Sequence, residues 1–410
     1  MDAHIHSKFS RATSKNMDLE NLSEWAQYKG IDVLGTGDFT HPFWSAQLKE
    51  KLEDVGGLFK LKENANSPFF ILTAEISCIY SQDGKGRRIH LVIFAPSISD
   101  VEKINQRLSK IGNLYSDGRP ILGISAYDVT KIILEVSPES FIVPAHIWTP
   151  WFSLFGSNSG YNTVKECFKD LTSQIFALET GLSSDPPMNW RLSQLDNYSL
   201  ISNSDAHSPA NLGREVTVFE VADKDNLSFS LIKKMLKEGN ISYTIEFFPE
   251  EGKYHYDGHR NCDVNISPDE AKKKNNKCPK CGRDLTIGVM HRVIDLADRK
   301  DGFKPEKAPS FKSLLPLREI IAESLKQKTG SRQVETEYMK IVKTVSPELP
   351  LLLDFSQEKL TGKVSPEIIN AIQKIRQGKV EKIPGFDGVY GIIKVKEDSI
   401  GEKSQQKTLF

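Results

Sequence analysis

Near its N-terminus the chain carries His4-Ile5-His6 on a segment that reads as extended. Side chains alternate across a strand, so both imidazoles point to one face and can hold one cation. Two such histidines alone are weak evidence, and their weight comes from residues farther along. Asp38 and His41 stand in Gly35-Thr36-Gly37-Asp38-Phe39-Thr40-His41, a Gly-rich turn after an apolar run. Glu75 ends a second run, His90 opens a third, and His146 follows Ile142-Val143-Pro144-Ala145. Glu179 ends Ile175-Phe176-Ala177-Leu178, and Ser204-Asp205-Ala206-His207 adds Asp205 and His207. Six of the nine histidines fall at these positions, which chance placement of solvated residues seldom yields. His41 and Glu179 read equally well as groups that support a ligand. Mixed imidazole and carboxylate donors suit zinc, manganese or iron better than magnesium. Closely spaced cations lower the pKa of water and neutralise a phosphoryl group. No phosphate-cradling glycine loop with its lysine is present, so hydrolysis is favoured over phosphoryl transfer from a nucleotide.

A second constellation reads His259-x-x-Cys262, a loop, then Cys278-Pro279-Lys280-Cys281-Gly282. Two short knuckles separated in this way match a structural zinc site, closed and non-catalytic. His259 fits the spacing as fourth ligand, with His255 as its competitor. Lys272, Lys273, Lys274, Lys277, Lys280 and Arg283 make the intervening loop basic. That loop is either a solvated surface or a contact to a phosphate backbone. Cys78 and Cys167 stand alone in apolar surroundings and read as buried small hydrophobes.

The elements that must position these groups alternate. Strands are predicted at 31–35, 69–72, 90–94, 141–143, 175–178 and 200–202, and helices at 19–28, 101–111, 126–135 and 228–237. Such alternation predicts an α/β domain of mainly parallel strands with function at strand ends. The expected organisation is a catalytic domain over 1–245 and a zinc-binding domain over 250–300. A helical C-terminal region with a short β segment follows over 305–397, then a flexible tail over 398–410. Acidic and basic residues balance at 54 each, so overall charge announces no nucleic-acid partner. No apolar run is long enough to span a bilayer and no secretory pattern opens the chain, which makes the cytoplasm the default location.

In order and spacing the first constellation resembles the polymerase-and-histidinol-phosphatase (PHP) superfamily of metal-dependent phosphoesterases. The resemblance covers about residues 1–245 and implies a distorted (β/α)7 PHP barrel with two to three divalent metal ions (zinc, manganese or magnesium). It implies one ion at His4, His6, Glu75 and Asp205, with Glu75 bridging to a second at His90 and His146. A third would sit at His207 with Asp38 or His41. Glu75, His146 and Asp205 are the expected catalytic core. Phe39 stands where the family turn has histidine and Ala12 where a further histidine is usual, which singles out the third site.

A longer series resembles the endonuclease Q family of DNA-repair nucleases. It includes Pro144-Ala145-His146-x-x-Thr149-Pro150-Trp151, Asn203-Ser204-Asp205-Ala206-His207-Ser208-Pro209 and Leu212-Gly213-Arg214-Glu215. Gly252-Lys253-Tyr254-His255, the Cys-Pro-Lys-Cys-Gly knuckle and Arg292-x-x-x-Leu296-Ala297-Asp298 continue it. The resemblance implies cleavage 5′ to a deaminated base (uracil, hypoxanthine, xanthine) or an abasic site in damaged DNA. Such bases are read after extrusion from the stack. Trp148 and Trp151 are the expected pocket aromatics, and Arg214 and Lys273 the expected DNA contacts. Gln406, Leu409 and Phe410 resemble a shortened sliding-clamp peptide, and the chain is expected to act as a monomer. The competing expectations are a PHP phosphatase or exonuclease and a non-catalytic, helicase-associated nucleic-acid-binding protein.

Overall fold

The structure, a computed structural model, describes residues 1–64 and 66–396. The clamp-peptide residues Gln406, Leu409 and Phe410 therefore lie outside the described residues. The first strands are β1 (Val33–Gly35), β2 (Leu52–Val55), β3 (Leu58–Leu61), β4 (Phe69–Gln82) and β5 (Lys85–Ala95). They are followed by β6 (Ile121–Leu122), β7 (Phe141–Pro144), β8 (Ala177–Glu179), β9 (Ser199–Ile201), β10 (Val216–Val218) and β11 (Tyr243–Glu246). The first seven form one sheet, and β8 pairs with β9 in a second.

The expectation of mainly parallel strands is corrected here. β1 pairs parallel with β4 and β8 with β9, but β5 runs antiparallel to both β4 and β7. The cause is local: Asp83 and Gly84 both take positive φ, 52° and 71°. That is the geometry a two-residue hairpin turn requires, and it folds β5 straight back on β4. Glu75 and His90 consequently sit inside long strands rather than at strand ends, with Glu75 opposite Val92 and Ser77 opposite His90.

The N-terminal residues complete the ring through bridges from Asp2 to Leu34 and from Ile5 to Ala206. This close approach explains the Gly35-Thr36-Gly37 turn. A Cβ on Gly35 would lie 2.2 Å from the Ala3 carbonyl oxygen, and one on Gly37 would lie 2.4 Å from that of Ile5. Among the described residues the strands do not close into a continuous hydrogen-bonded barrel. Between β7 and β8 the link is a loop bond, Ile147 N to Glu179 O at 3.0 Å. The expected helices form over Leu19–Lys29, Ile98–Leu108, Ala126–Val136 and Phe229–Glu238, each started by a side-chain cap from Asp18, Ser97, Ser125 or Ser228.

Beyond β11 come the antiparallel pair β12 (Asp257–His259) and β13 (Val264–Ile266), which carry His259 and, in the turn between them, Cys262. Residues 300–309, a segment bearing proline and lysine, lead into β14 (Ser310–Ser313), which adds a parallel strand to β11. Helices over Leu317–Ser324, Arg332–Thr344, Glu348–Leu353 and Pro366–Arg376 follow, then the hairpin β15 (Val380–Ile383) and β16 (Ile392–Val395). One apolar core runs from Ile5 and Leu34 into Leu317, Ile341 and Ile372 of these helices. Across that junction Lys29 Nζ meets Glu348 Oε2 at 2.6 Å with both side chains buried, and the Tyr338 hydroxyl donates to the same oxygen at 2.8 Å. Removing one member of such a pair strands a buried charge, at a cost of about 3–5 kcal/mol. No helix among the described residues is long and apolar enough to cross a membrane.

Candidate active site and metal centre

At one end of the ring, segments far apart in sequence bring their donors together. His4, His6 and Glu75 form one group whose ligand atoms lie within 4.8 Å of one another. Glu75, His90 and His146 form a second by the same measure, and His6, Asp205 and His207 a third. Glu75 joins the first two: its Oε2 lies 3.3 Å from His6 Nε2, and its Oε1 lies 2.6 Å from His90 Nδ1 and 3.1 Å from His146 Nε2. Asp205 Oδ1 sits 3.7 Å from His4 Nε2 and 3.2 Å from His6 Nε2.

The opposite ring nitrogens are held from behind. His4 Nδ1 meets Glu179 Oε2 at 2.9 Å, and Glu179 also accepts from Asn203 Nδ2 at 2.8 Å and from the His146 amide at 2.9 Å. His6 Nδ1 meets Asp38 Oδ1 at 3.1 Å. This is how metal-binding histidines are oriented: one nitrogen toward the ion, the other toward a carboxylate. Buried polar atoms without hydrogen bonds are costly, yet His4 Nε2, His6 Nε2 and Asp205 Oδ1 are all three buried and make none. They face one another, as donors around a cation do. Electrostatics agree. Burial opposes charge at His4, but Glu179, Glu75 and Asp205 outweigh it and hold the ring well above the ordinary histidine range. Burial would likewise raise Glu75, but His90, Arg119 and His4 hold it well below the carboxylate range. The donor set fits divalent metals.

Backbone geometry was shaped for this site. Asp38, His146 and Asp205 all take positive φ, at 48°, 30° and 47°. Each such residue costs of order 1–3 kcal/mol and persists where the surroundings over-determine it. A Cβ on Gly181 would lie 2.4 Å from the His146 Cβ, so glycine there leaves room for the histidine.

Two expected ligands stand elsewhere. Asp38 is fully engaged behind His6, since its Oδ2 accepts from the Ser7 amide at 2.6 Å, Ser7 Oγ at 2.7 Å and Ser10 Oγ at 2.8 Å. It orients His6 and joins no donor group. His41 stacks on Phe9 with ring centroids 4.4 Å apart and also joins none. Trp148 is a core residue: it is wholly buried, donates to Asn189 Oδ1 at 2.7 Å and packs on Phe155. Arg214 is turned to the protein, donating from Nε to Ser204 O at 2.9 Å, and so supports the loop that carries Asp205. Trp151 is half-buried and meets Tyr254 edge to face, and Lys273 is exposed at a helix end.

Beside His90 and His146 lies a cavity of about 520 Å³ lined by Arg11, Arg88, Arg119, Trp151, Phe152 and Tyr254 among others. Arg119 is the principal residue that the sequence did not announce. Its Nη1 donates to Glu75 Oε2 at 3.0 Å, and it comes from the loop Asn113–Pro120, which has neither motif nor periodicity. A larger groove of about 1160 Å³ lies between C-terminal helices near Arg332, Lys340 and Lys363. It touches none of the donor groups, so size alone does not locate the chemistry.

In the knuckle region His259, Cys262, Cys278 and Cys281 bring their donor atoms within 4.8 Å of one another. The backbone amides of Lys280 and Cys281 reach Cys278, whose thiol falls to about 6 despite the opposing effect of burial. His255 lies outside this group, buried against Tyr256.

Fold and donor geometry together define a metal-dependent hydrolase of the PHP type, with a cysteine-rich cluster suited to zinc. Residues 316–379 match the family described as the MJ0043 C-terminal domain. An uncharacterised protein of Methanocaldococcus jannaschii is 31% identical over 299 residues, covering 70% of this chain. The chain spans 37% of that relative's length. The crystal structure of the lesion-specific endonuclease PfuEndoQ from Pyrococcus furiosus superposes with a TM-score of 0.84 at 32% identity, covering 97% of this chain and 95% of that one. A structure of endonuclease Q with a 27-mer duplex bearing an abasic lesion at the active site gives 0.85 and 32%, covering 98% and 99%. The chain belongs to the endonuclease Q family.

Proposed function

We propose that the chain is a DNA-repair endonuclease that hydrolyses the phosphodiester 5′ to deaminated bases or abasic sites. The observation that carries this is the placement of three donor groups, joined by Glu75 and His6, against the arginine- and aromatic-lined cavity. In this reading His4, His6, Glu75 and Asp205 hold one ion, Glu75, His90 and His146 a second, and Asp205 with His207 a third. When bound, such ions supply Lewis-acid stabilisation of a phosphoryl group and make water acidic. Arg119 and Arg88 bind the phosphates flanking the scissile bond, since guanidinium groups pair with two phosphate oxygens at once. Trp151 and Tyr254 stack on the extruded nucleotide, and the cavity is within the range for holding one. Glu179 and Asp38 fix which nitrogen His4 and His6 present. His259, Cys262, Cys278 and Cys281 hold a structural zinc that braces the basic loop bearing Lys273 against the duplex. One chain supplies every donor, which supports action as a monomer.

The test is nicking of duplexes carrying uracil, hypoxanthine or an abasic site, against intact duplex and a phosphomonoester. Lesion duplexes should be cut on the 5′ side, and Asp205→Asn should lower the rate by roughly 10⁴-fold. Trp151→Ala should narrow the preference for damaged over intact DNA. Cleavage of the phosphomonoester alone, or an undiminished Asp205→Asn rate, defeats the reading. For the tail, deletion of 406–410 should abolish capture by the sliding clamp and spare nicking; retained capture would dismiss that contact.

A further inference from the structure

A second aromatic surface lies beside the metal centre, apart from the cavity of Trp151 and Tyr254. Phe9 stacks on His41 at 4.4 Å, and Phe43 lies 5.8 Å from His41 and 5.8 Å from Tyr115. Tyr115 closes the group at 6.4 Å from His41. Phe43 is 61% exposed and Tyr115 64%. Single exposed apolar residues are ordinary. Two outward-facing rings backed by two more, in a patch built by loops and the first turn of the helix Pro42–Lys51 at the catalytic end, are not.

Those loops are tied to the catalytic groups. The His41 amide donates to Asp38 O at 2.9 Å, and Asp38 orients His6. The Gly118 amide donates to Phe9 O at 3.0 Å, and Thr40 Oγ1 donates to Gly118 O at 3.1 Å. Arg119, which grips Glu75, follows Tyr115 by four residues, so their backbones are at most about 14 Å apart. A DNA strand advances roughly 3.4 Å per nucleotide, so that separation is about the span of four nucleotides. Cations flank the rings: Lys8 Nζ lies 5.9 Å from the Phe9 ring centre, and Arg11 sits where the ledge meets the cavity, paired with Asp117. Burial lowers the pKa of the His41 ring that backs the ledge.

We propose that Phe43 and Tyr115 form a stacking ledge for an unpaired nucleobase of the bound DNA, distinct from the pocket that receives the damaged nucleotide. The proposal rests on the endonuclease reading. Continuity with the catalytic loops and the flanking cations favour nucleic acid over a protein partner, and stacking tolerates any base because every base has a π face.

The experiment places 2-aminopurine singly at each of four positions on either side of an abasic site. Fluorescence is read on binding to Asp205→Asn protein with and without Phe43→Ala and Tyr115→Ala. Steady-state nicking is measured for the same pair of alanine changes in otherwise wild-type protein. One or two positions should respond with the ledge intact and fall silent in its absence. KM should rise about tenfold while kcat holds. Phe43→Tyr with Tyr115→Phe should restore both readouts. Unchanged fluorescence profile and KM in the alanine protein, with lesion nicking intact, removes the ledge and leaves the endonuclease reading standing. Loss of self-association in sedimentation, with DNA binding unaltered, reassigns the rings to a contact between copies and equally overturns it. Absence of any nicking or DNA binding by the wild-type protein defeats the endonuclease reading itself.

Discussion

The two donor sets of this chain are built on opposite plans. Around Glu75 the donors come from segments between His4 and His207, four are buried and the other three half-buried, and most have their second polar atom held by another residue. In the knuckle four donors come from a stretch between His259 and Cys281, Cys281 is exposed, and the local apolar cluster is only Val264, Ala271, Cys278 and Leu285 with two partly buried neighbours. The first site is held in shape by the fold around it. The second has little core of its own, so the proposed zinc is expected to supply much of its order. The difference teaches where each is vulnerable.

The largest effect that would break the comparison is at the knuckle. Structural zinc contributes about 10–16 kcal/mol of apparent binding free energy to small zinc-dependent folds. Cys281→Ser should therefore lose one zinc per chain and open the stretch around Lys272–Lys280 to protease. The remainder of the chain should melt at an unchanged temperature, because its core is separate. Mass-spectrometric metal counts and limited proteolysis read both. A knuckle that stays protected without zinc would show that β12, β13 and the contacts of Asp387 to Arg260 N and Thr286 suffice to hold it.

The same contrast explains what could be read before the structure was known. Cys278-Pro279-Lys280-Cys281 carries its geometry within one turn, so spacing alone specifies it. The His4-x-His6 pair and Asp205-Ala206-His207 are nearly as local. Glu75 and His90 were legible as donors but misplaced as strand ends, because continuous apolar runs hide where a strand continues. The Asp83-Gly84 turn that joins their strands carries a recognisable hairpin signature and was the missed clue. Arg119 had no signal, since a loop arginine acquires meaning only when the chain lays it on Glu75. Trp148 and Trp151 differ by three positions, and spacing could not say which would be buried. For Asp38 the ambiguity is deeper. A carboxylate facing a histidine looks the same in sequence whether it shares the ion or holds the ring nitrogen opposite it.

That ambiguity sets a smaller and sharper test. Asp38→Asn keeps the shape but weakens the charge-assisted hold on His6 Nδ1. If Asp38 orients His6, as its four short contacts indicate, the protein should bind the same number of ions with affinity lowered about 10- to 100-fold. Saturating metal should then recover most of the nicking rate. If Asp38 were itself a ligand, one ion per chain would be lost and excess metal would not restore activity. Glu179→Gln should follow the same course at His4, because Glu179 sits on the Nδ1 side of that ring. Parallel behaviour of the two variants would show that orientation from behind is a shared feature of the site around Glu75, whereas in the knuckle it is turn amides that reach Cys278.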